Sequence, residues 1–370
     1  MPIIQGQQDI IEPKLQLVAW EITRSCNLFC AHCRASAGYA KYDGEFSTEE
    51  CYRVINEINE VGKPIIILTG GEPLLRPDAL DIAAYAVSKG FRVVLGSNGT
   101  LVTEEMTARM KLIPISCVGI SLDFPTPELQ DKFRGKAGAF DIAMAGVNHS
   151  HDAGIDVQIN STITKLNVSY IGDLVSMALN VGAISFYPFL LVPTGRGKDL
   201  ETVELSPDEY EKTLNWIYDK QVELRGKLNI RPICAPHYFR IARQRQKQGG
   251  AEQPPMPRPS PSGSSVHFVT RGCLSGTGFC FISHRGKVQG CGYLDVEAGD
   301  LKKSSFREIW NNSVVFQNMR NLGNIKGKCG ICEFKRVCGG CRARAYETVG
   351  SYLEEEPYCI YQPVKMRGAQ

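Results

Sequence analysis

The chain lacks the features of a membrane-spanning or secreted protein. No run of about 18 apolar residues occurs, so the sequence predicts no transmembrane helix. Residues 1–13 have neither the basic region nor the apolar core that signal peptides carry. We therefore expect a cytoplasmic protein without a membrane span.

Excess charge of one sign is also missing. Lys and Arg number 42 against 39 Asp and Glu, which gives a formal net charge of +3. A charge this small argues against binding to nucleic acid or to a membrane surface through bulk electrostatics. With 43% hydrophobic and 22% charged residues in 370, the composition is ordinary, and the chain is long enough for one large and one smaller domain.

Cysteine, by contrast, is plentiful, with 14 in the chain. Without a secretory signal, clustered cysteines indicate metal ligands in a reducing compartment rather than a disulfide framework. Three lie between Cys26 and Cys33, and eight lie in residues 271–363. The remaining three are scattered, and we expect them to be ordinary core residues: Cys51, Cys117 and Cys234.

The first group, Cys26, Cys30 and Cys33, forms a C-x3-C-x2-C motif after an apolar run. A [4Fe–4S] cluster normally takes four thiolates. Three thiolates leave one iron open, in the sense that a catalytic zinc keeps an open position. Such an iron can chelate the amino and carboxylate groups of S-adenosylmethionine (SAM). Taken alone, the motif is equally compatible with a surface turn or with part of a zinc site.

Short apolar runs alternate with helical patterns from residue 15 to about residue 191. This alternation predicts a parallel sheet with right-handed crossovers, in which ligands bind at the carboxyl ends of the strands. The predicted strands are 17–22, 64–68, 92–95, 117–122, 155–160 and 183–191. The predicted helices are 47–61, 78–89, 104–111, 139–153 and 168–181.

The cysteine motif, followed by Thr-Gly-Gly-Glu-Pro at residues 69–73, resembles the radical SAM superfamily. The resemblance implies an α/β fold, an open (β/α)6 partial TIM barrel, with SAM bound at a [4Fe–4S] cluster on the three cysteines. It implies that the Gly-Gly-Glu turn binds the methionine amino group, with the Glu72 carboxylate accepting from the ammonium. The implied SAM-binding residues are Gly70, Gly71, Glu72, Ser121 and Asn160. Phe29 is expected to shield the cluster from solvent.

The C-terminal cysteines resemble the SPASM domain, a small cysteine-rich extension that binds auxiliary [4Fe–4S] clusters in some radical SAM enzymes. The usual C-x2-C-x5-C-x3-C segment of that domain occurs here as C-x2-C-x5-C-x2-C. Carried over by order, one auxiliary cluster has the ligands Cys273, Cys280, Cys291 and Cys341. The other has the ligands Cys329, Cys332, Cys338 and Cys359. A structural zinc site is the alternative, because paired C-x2-C knuckles also form zinc ribbons.

We divide the chain into three parts on these grounds. Residues 1–200 are the predicted radical SAM barrel. Residues 201–265 are a helical bridge that ends in a linker rich in Gly, Pro and Ser, and residues 266–370 are the SPASM domain.

Several further stretches, among them 190–196, 234–245 and 271–284, resemble the porphyrin-modifying branch of the superfamily. The resemblance is greatest to the decarboxylases that convert iron-coproporphyrin III to protoheme in the siroheme-dependent pathway. It implies that a 5′-deoxyadenosyl radical removes a hydrogen from each of two propionates, which then lose CO2 and an electron and become vinyl groups. An auxiliary cluster is expected to accept that electron, and a ferredoxin or flavodoxin to act as the electron donor.

Such a substrate is a flat apolar disc rimmed by four carboxylates, so its pocket needs apolar walls and arginines that can grip carboxylates. The candidate substrate-binding residues are Arg34, Arg196, His237, Arg240 and Arg243, with Arg271 and His267 as further candidates.

Three other functions compete with this one. The first is another tetrapyrrole-modifying radical SAM reaction, in the didecarboxysiroheme or heme d1 branch. The second is a peptide-modifying maturase, although only 25 residues precede Cys26, too few for a peptide-recognition domain of ~80 residues. The third is a non-catalytic iron–sulfur carrier or zinc-ribbon scaffold, which leaves the Gly-Gly-Glu turn unexplained.

Overall fold

The computed structural model describes residues 9–249 and 271–367. Residues 250–265 of the predicted linker, and His267, lie outside them. Within the described residues ten strands form one sheet. Their bounds are β1 Leu17–Thr23, β2 Ile65–Gly70, β3 Val93–Ser97, β4 Cys117–Ser121, β5 Asp156–Ile163, β6 Ser185–Leu190, β7 Asn229–Ile230, β8 Phe279–Ile282, β9 Lys287–Cys291 and β10 Leu294–Asp300.

The first helices alternate with these strands, and the later ones pack around the C-terminal strands. The helix α1 begins at a capping box, in which Ser47 Oγ accepts from the Glu50 amide and the Glu50 carboxylate accepts from the Ser47 amide. The bounds are α1 Thr48–Val61, α2 Ala79–Ser88, α3 Glu104–Leu112, α4 Pro127–Arg134, α5 Ala139–Asp152, α6 Ile171–Asn180, α7 Pro207–Glu223, α8 His237–Gly249, α9 Phe306–Asn312, α10 Val314–Arg320, α11 Gly327–Ile331, α12 Arg342–Val349 and α13 Val364–Arg367.

The strands β1 to β7 lie side by side in chain order, and every neighbouring pair is parallel. All six predicted strands are present, and a short seventh strand extends the row. The strands β3 and β4 are almost entirely buried, as expected for central strands of a parallel sheet. The predicted open (β/α)6 partial barrel is confirmed.

The cysteine-rich C-terminal segment joins the same sheet on its other side. The strand β8 pairs in parallel with β1, with Cys280 opposite Val18, and then turns back through the antiparallel strands β9 and β10. Just before β1, the Lys14 amide donates to the Thr277 carbonyl at 2.9 Å. The sheet is therefore continuous between the barrel and the segment that carries eight of the cysteines.

No helix in residues 9–249 or 271–367 is both long and apolar enough to cross a membrane.

Candidate functional site

The loop that carries Cys26, Cys30 and Cys33, called the cysteine loop below, begins directly after β1, at the carboxyl edge of the barrel sheet. Its three thiols are free, and each sulfur has an N–H donor close by. Cys26 Sγ accepts from the Leu28 amide (3.5 Å) and Asn98 Nδ2 (3.8 Å), Cys30 Sγ from Arg134 Nη1 (3.7 Å), and Cys33 Sγ from the Ala37 amide (3.3 Å). Such donors favour a thiolate over a thiol, and thiolates are the ligands of iron–sulfur clusters.

Burial acts against the thiolate in the absence of a metal. It raises the pKa of the Cys26 thiol to about 11 and also raises the pKa of Cys30. Metal binding therefore has to displace protons from this loop, as it does in other thiolate sites.

The Gly70–Gly71 turn at the end of β2 packs against the cysteine loop. The Gly71 amide donates to the Thr23 carbonyl at 2.9 Å. A Cβ at Gly71 would lie 2.5 Å from the Ser25 oxygen and 2.7 Å from Cys26 Cβ, and a Cβ at Gly70 would lie 2.3 Å from the Thr23 oxygen. The glycines are therefore required for contact with the end of β1 and with the cysteine loop.

The Glu72 side chain is fully buried and points into the protein. Its carboxylate accepts from Ser97 Oγ at 3.0 Å, the Asn98 amide at 2.7 Å and the Leu74 amide at 3.2 Å. Burial raises the pKa of Glu72 to about 7, although these donors oppose the shift. The expectation that this carboxylate accepts from the SAM ammonium is corrected. The carboxylate oxygens already accept from Ser97, Asn98 and Leu74, so only the backbone of the turn is left to contact SAM beside the cysteine loop.

The two polar residues predicted at later strand ends lie next to each other. Ser121 of β4 pairs with Asn160 of β5, and both are half-buried. Asn160 Oδ1 accepts from Gln158 Nε2 at 2.6 Å, and its amide nitrogen lies over Gly119, where a Cβ would be 2.8 Å away. The structure thus brings Ser121 and Asn160 together at the carboxyl edge of the barrel.

Arg196 holds the cysteine loop through two backbone carbonyls. Its Nε donates to the Cys30 carbonyl at 2.9 Å and its Nη1 to the Ala37 carbonyl at 2.7 Å. The guanidinium carbon lies 3.9 Å from the centre of the Phe29 ring. Phe29 itself is 63% exposed, and its shielding of the cluster stays a prediction. Two of the donors of Arg196 therefore brace the loop, while its buried Nη2 has no hydrogen-bond partner within the described residues.

Arg34, which follows Cys33, is occupied by protein groups. It forms an ion pair with the buried Glu21 at 3.0 Å, donates to the Gly292 carbonyl at 3.3 Å and stacks on the Phe281 ring at 4.5 Å. Although burial opposes it, the charges and hydrogen bonds around Glu21 lower the pKa of that carboxyl to about 2. The prediction that Arg34 grips a substrate carboxylate is corrected, because Glu21 already occupies its guanidinium.

The first auxiliary cysteine group differs from the predicted one by one member. Three predicted ligands, Cys273, Cys291 and Cys341, lie near the thiol of Cys234, and burial together with these neighbours raises the pKa of Cys234 well above its usual range. The Cys234 backbone adopts a positive φ of 59°, with its carbonyl accepting from Tyr210 Oη at 2.7 Å and Arg344 Nη1 at 3.0 Å. The fourth thiol of this group is therefore Cys234.

Cys280 faces the other side of the sheet. It is fully buried in the hydrophobic core opposite Val18, and the charged group beside it is Arg320 rather than another cysteine. The next residue, Phe281, faces the site through Arg34. Because successive side chains of a strand point to opposite faces, Cys280 cannot join Cys273, and its predicted ligand role is corrected.

The second auxiliary group is assembled as predicted by order along the chain. Its four cysteines line one cavity, together with His237 and Arg240. Each of the four sulfurs accepts from a backbone amide. The cysteines are Cys329, Cys332, Cys338 and Cys359.

The two auxiliary groups and the cysteine loop are connected. The Cys273 amide donates to the Cys338 carbonyl at 3.1 Å, which links the two auxiliary groups. Arg34, beside Cys33, contacts Gly292, beside Cys291. Three groups of free thiols in a connected interior fit three iron–sulfur clusters.

The remaining predicted substrate residues are dispersed. His237 and Arg240 are buried in the cavity of the second auxiliary group, where Arg240 forms ion pairs with Glu211. Arg271 is buried beside Cys273 and Cys338. Arg243 is exposed on α8. Tyr293, a half-buried residue near Cys33, Cys234 and Arg34, was not predicted, because nothing in its local sequence marks it.

The fold and the cysteine groups define a radical SAM enzyme with a SPASM domain. Residues 20–178 match the radical SAM superfamily, and residues 273–342 match SPASM, an iron-sulfur cluster-binding domain. The crystal structure of Streptococcus suis SuiB bound to S-adenosylmethionine has the same fold, with a TM-score of 0.73 over 96% of this chain and 80% of that one, at 14% identity. The cofactors of the present protein are therefore [4Fe–4S] clusters and SAM.

The similarity to curated proteins extends over almost the whole chain. The AdoMet-dependent heme synthase of Methanosarcina barkeri is 47% identical over 95% of this chain and 97% of its own, and that of Nitratidesulfovibrio vulgaris is 46% identical over 96% and 94%. The Fe-coproporphyrin III synthase of Methanosarcina barkeri is 32% identical over 94% and 88%. This chain belongs to the family of the AdoMet-dependent heme synthases.

Proposed function

We propose that this protein makes heme from iron-coproporphyrin III by oxidative decarboxylation of two propionates to vinyl groups. The observation that carries the proposal is the 47% identity to a heme synthase over 95% of this chain and 97% of that protein. Identity to the Fe-coproporphyrin III synthase is 32%, which favours the heme synthase reaction over that of its relative.

The proposed cluster ligands follow the three thiol groups. Cys26, Cys30 and Cys33 hold the SAM-binding cluster. When bound, this cluster supplies the electron that converts SAM to the 5′-deoxyadenosyl radical, and an auxiliary cluster can take up the electron released with CO2. The auxiliary ligand sets are Cys234, Cys273, Cys291 and Cys341, and Cys329, Cys332, Cys338 and Cys359.

The chain's own residues position the reactants. The backbone of Gly70 and Gly71 is proposed to accept from the methionine ammonium, while the buried Glu72 fixes the turn through Ser97. Ser121 and Asn160, adjacent at the strand ends, are proposed to bind the remainder of SAM. Loss of a β-hydrogen atom, CO2 and one electron from each propionate leaves a vinyl group, so the atoms balance.

For the substrate carboxylates we propose the guanidinium groups that the protein leaves available. Arg196 has Nη2 without a hydrogen-bond partner in the described residues, and Arg243 is exposed on α8. Arginine suits this role because its charged N–H groups form strong hydrogen bonds with carboxylates.

The setting of the reaction is part of the proposal. Fourteen free cysteines suit a reducing compartment, so we place the protein in the cytoplasm, with a ferredoxin or flavodoxin as electron donor. The domain division also stays a proposal: residues 1–200, 201–265 and 266–370, with β8 joining the last part to the sheet of the first.

The test is substrate-dependent cleavage of SAM. Reconstituted protein is reduced anaerobically with SAM, with and without iron-coproporphyrin III, and 5′-deoxyadenosine is counted against vinyl groups. We expect the porphyrin to stimulate cleavage, with one deoxyadenosine for each vinyl group formed. Stimulation by a siroheme-derived tetrapyrrole, but not by iron-coproporphyrin III, would assign the protein to a sibling reaction.

A further inference from the structure

His237 is the one histidine in the cavity lined by Cys329, Cys332, Cys338 and Cys359, among the residues that the structure describes. It begins α8 and is fully buried. Its ring packs edge-on against Tyr210, with the ring centres 5.3 Å apart. The ring is therefore held in a defined position beside the four thiols.

Neither ring nitrogen of His237 has a hydrogen-bond partner within residues 9–249 and 271–367. Buried polar groups in folded proteins nearly always have a partner, because an unpartnered one loses its interaction with water without compensation. A buried imidazole beside four cysteines therefore indicates a partner inside the cavity.

Glu356 is the nearest acceptor, but other groups already use it. Its Oε2 lies 3.8 Å from His237 Nε2, beyond hydrogen-bond distance, and accepts from the Cys341 amide at 2.7 Å. Its own amide donates to Cys329 Sγ at 3.3 Å. Glu356 thus lies between the two auxiliary groups and helps to fix the wall beside His237.

We propose that His237 is a positioning residue that donates a hydrogen bond to a sulfur of the cluster held by Cys329, Cys332, Cys338 and Cys359. The inference rests on the auxiliary-cluster assignment proposed above. It replaces the role expected from the sequence, in which His237 binds the substrate.

The hydrogen bond has a defined effect on the cluster. The reduced cluster carries one more negative charge than the oxidised cluster, so an N–H dipole aimed at its sulfur stabilises the reduced form more. Hydrogen bonds to sulfur are among the determinants of cluster reduction potential. His237 therefore raises the reduction potential of this cluster relative to a site without the donor.

The test is a redox titration of the anaerobically reconstituted full chain, followed by electron paramagnetic resonance and by iron content. The variants are His237→Leu, which removes the donor, and His237→Gln, which keeps an N–H donor. At a fixed applied potential we expect His237→Leu to lower the ratio of reduced to oxidised cluster about tenfold. This corresponds to a decrease of about 59 mV in the reduction potential of the cluster for a one-electron step. We expect His237→Gln to keep a reduction potential close to that of the wild type.

Iron content separates this inference from the cluster assignment. Unchanged iron with an unchanged potential in both variants would refute the hydrogen bond while leaving the cluster in place. A loss of iron in both variants would refute it as well, because His237 would then be a ligand or a folding determinant. Absence of the cluster from the wild type would refute the assignment itself. If only His237→Leu loses iron, the reduction potential of the cluster in His237→Gln decides. A value near that of the wild type supports the hydrogen bond. A tenfold lower ratio of reduced to oxidised cluster refutes it.

Discussion

Replacing Cys234 and Cys280 in turn tests how the first auxiliary cluster is held. We expect Cys234→Ala to remove one cluster, a loss of about four irons per chain. We expect Cys280→Ala to keep all of its iron. The two variants remove the same atom from the same residue type, so each is the control for the other.

The expected sizes of the effects come from the surroundings of the two residues. Cys234 lies among the thiols of Cys273, Cys291 and Cys341, and its backbone is held through its carbonyl by Tyr210 and Arg344. The alanine variant therefore keeps its backbone contacts and loses the ligand. Cys280 is fully buried in the core, so its truncation leaves a small cavity that costs about 1 kcal/mol of unfolding free energy.

The assay is anaerobic reconstitution, followed by iron and sulfide determination, with urea unfolding to measure stability. Iron loss in Cys280→Ala together with full iron in Cys234→Ala would refute the structural grouping. It would restore the ligand set implied by the order of cysteines along the chain.

Three further predictions concern the barrel. Cys30→Ala should abolish formation of 5′-deoxyadenosine, measured by chromatography, because it removes a ligand of the SAM-binding cluster; undiminished cleavage would contradict that role. Gly71→Ala should lose this cluster, because its Cβ would lie 2.5 Å from the Ser25 oxygen, whereas Gly62→Ala, with open space, should keep the iron. Burial raises the pKa of Glu72 from 4.5 to about 7, so the folded protein binds more protons in this interval and unfolding free energy should fall as pH rises through it. Glu72→Gln should lack this component in urea titrations; an identical pH dependence in both proteins would contradict it.

Local patterns carry most of the information about the barrel. Each of the six predicted strands is present, because a buried parallel strand is a short apolar run that local sequence reveals. The parallel pairing of β8 with β1 could not be predicted, since it joins residues about 260 positions apart through main-chain contacts that leave no local pattern. The continuity of the sheet with the C-terminal segment follows only from the structure.

The cluster ligands show the same limit. Spacing along the chain predicted Cys26, Cys30, Cys33 and the second auxiliary group, because those cysteines are close in sequence or carry a known order. Spacing also favoured Cys280 over Cys234. The strand β8 is apolar at all four positions, so no alternation marked which face Cys280 occupies. The signal that could have indicated Cys234 was its place directly before the helix with the cavity histidine, His237.

The arginines were the least predictable residues, because an arginine in a sequence does not show which partner it has. Arg34 is bound to Glu21 and Arg196 to carbonyls of the cysteine loop. Such pairings depend on distant elements and follow from packing rather than from local composition.

The mass of the porphyrin product distinguishes the proposed decarboxylation from the competing reactions. Reconstituted protein, SAM, reductant and iron-coproporphyrin III are incubated without oxygen, and the products are separated and weighed by mass spectrometry. The account predicts successive losses of CO2 and hydrogen from two propionates, ending at protoheme, with 5′-deoxyadenosine formed alongside. Deoxyadenosine formed while the porphyrin mass stays unchanged would contradict it.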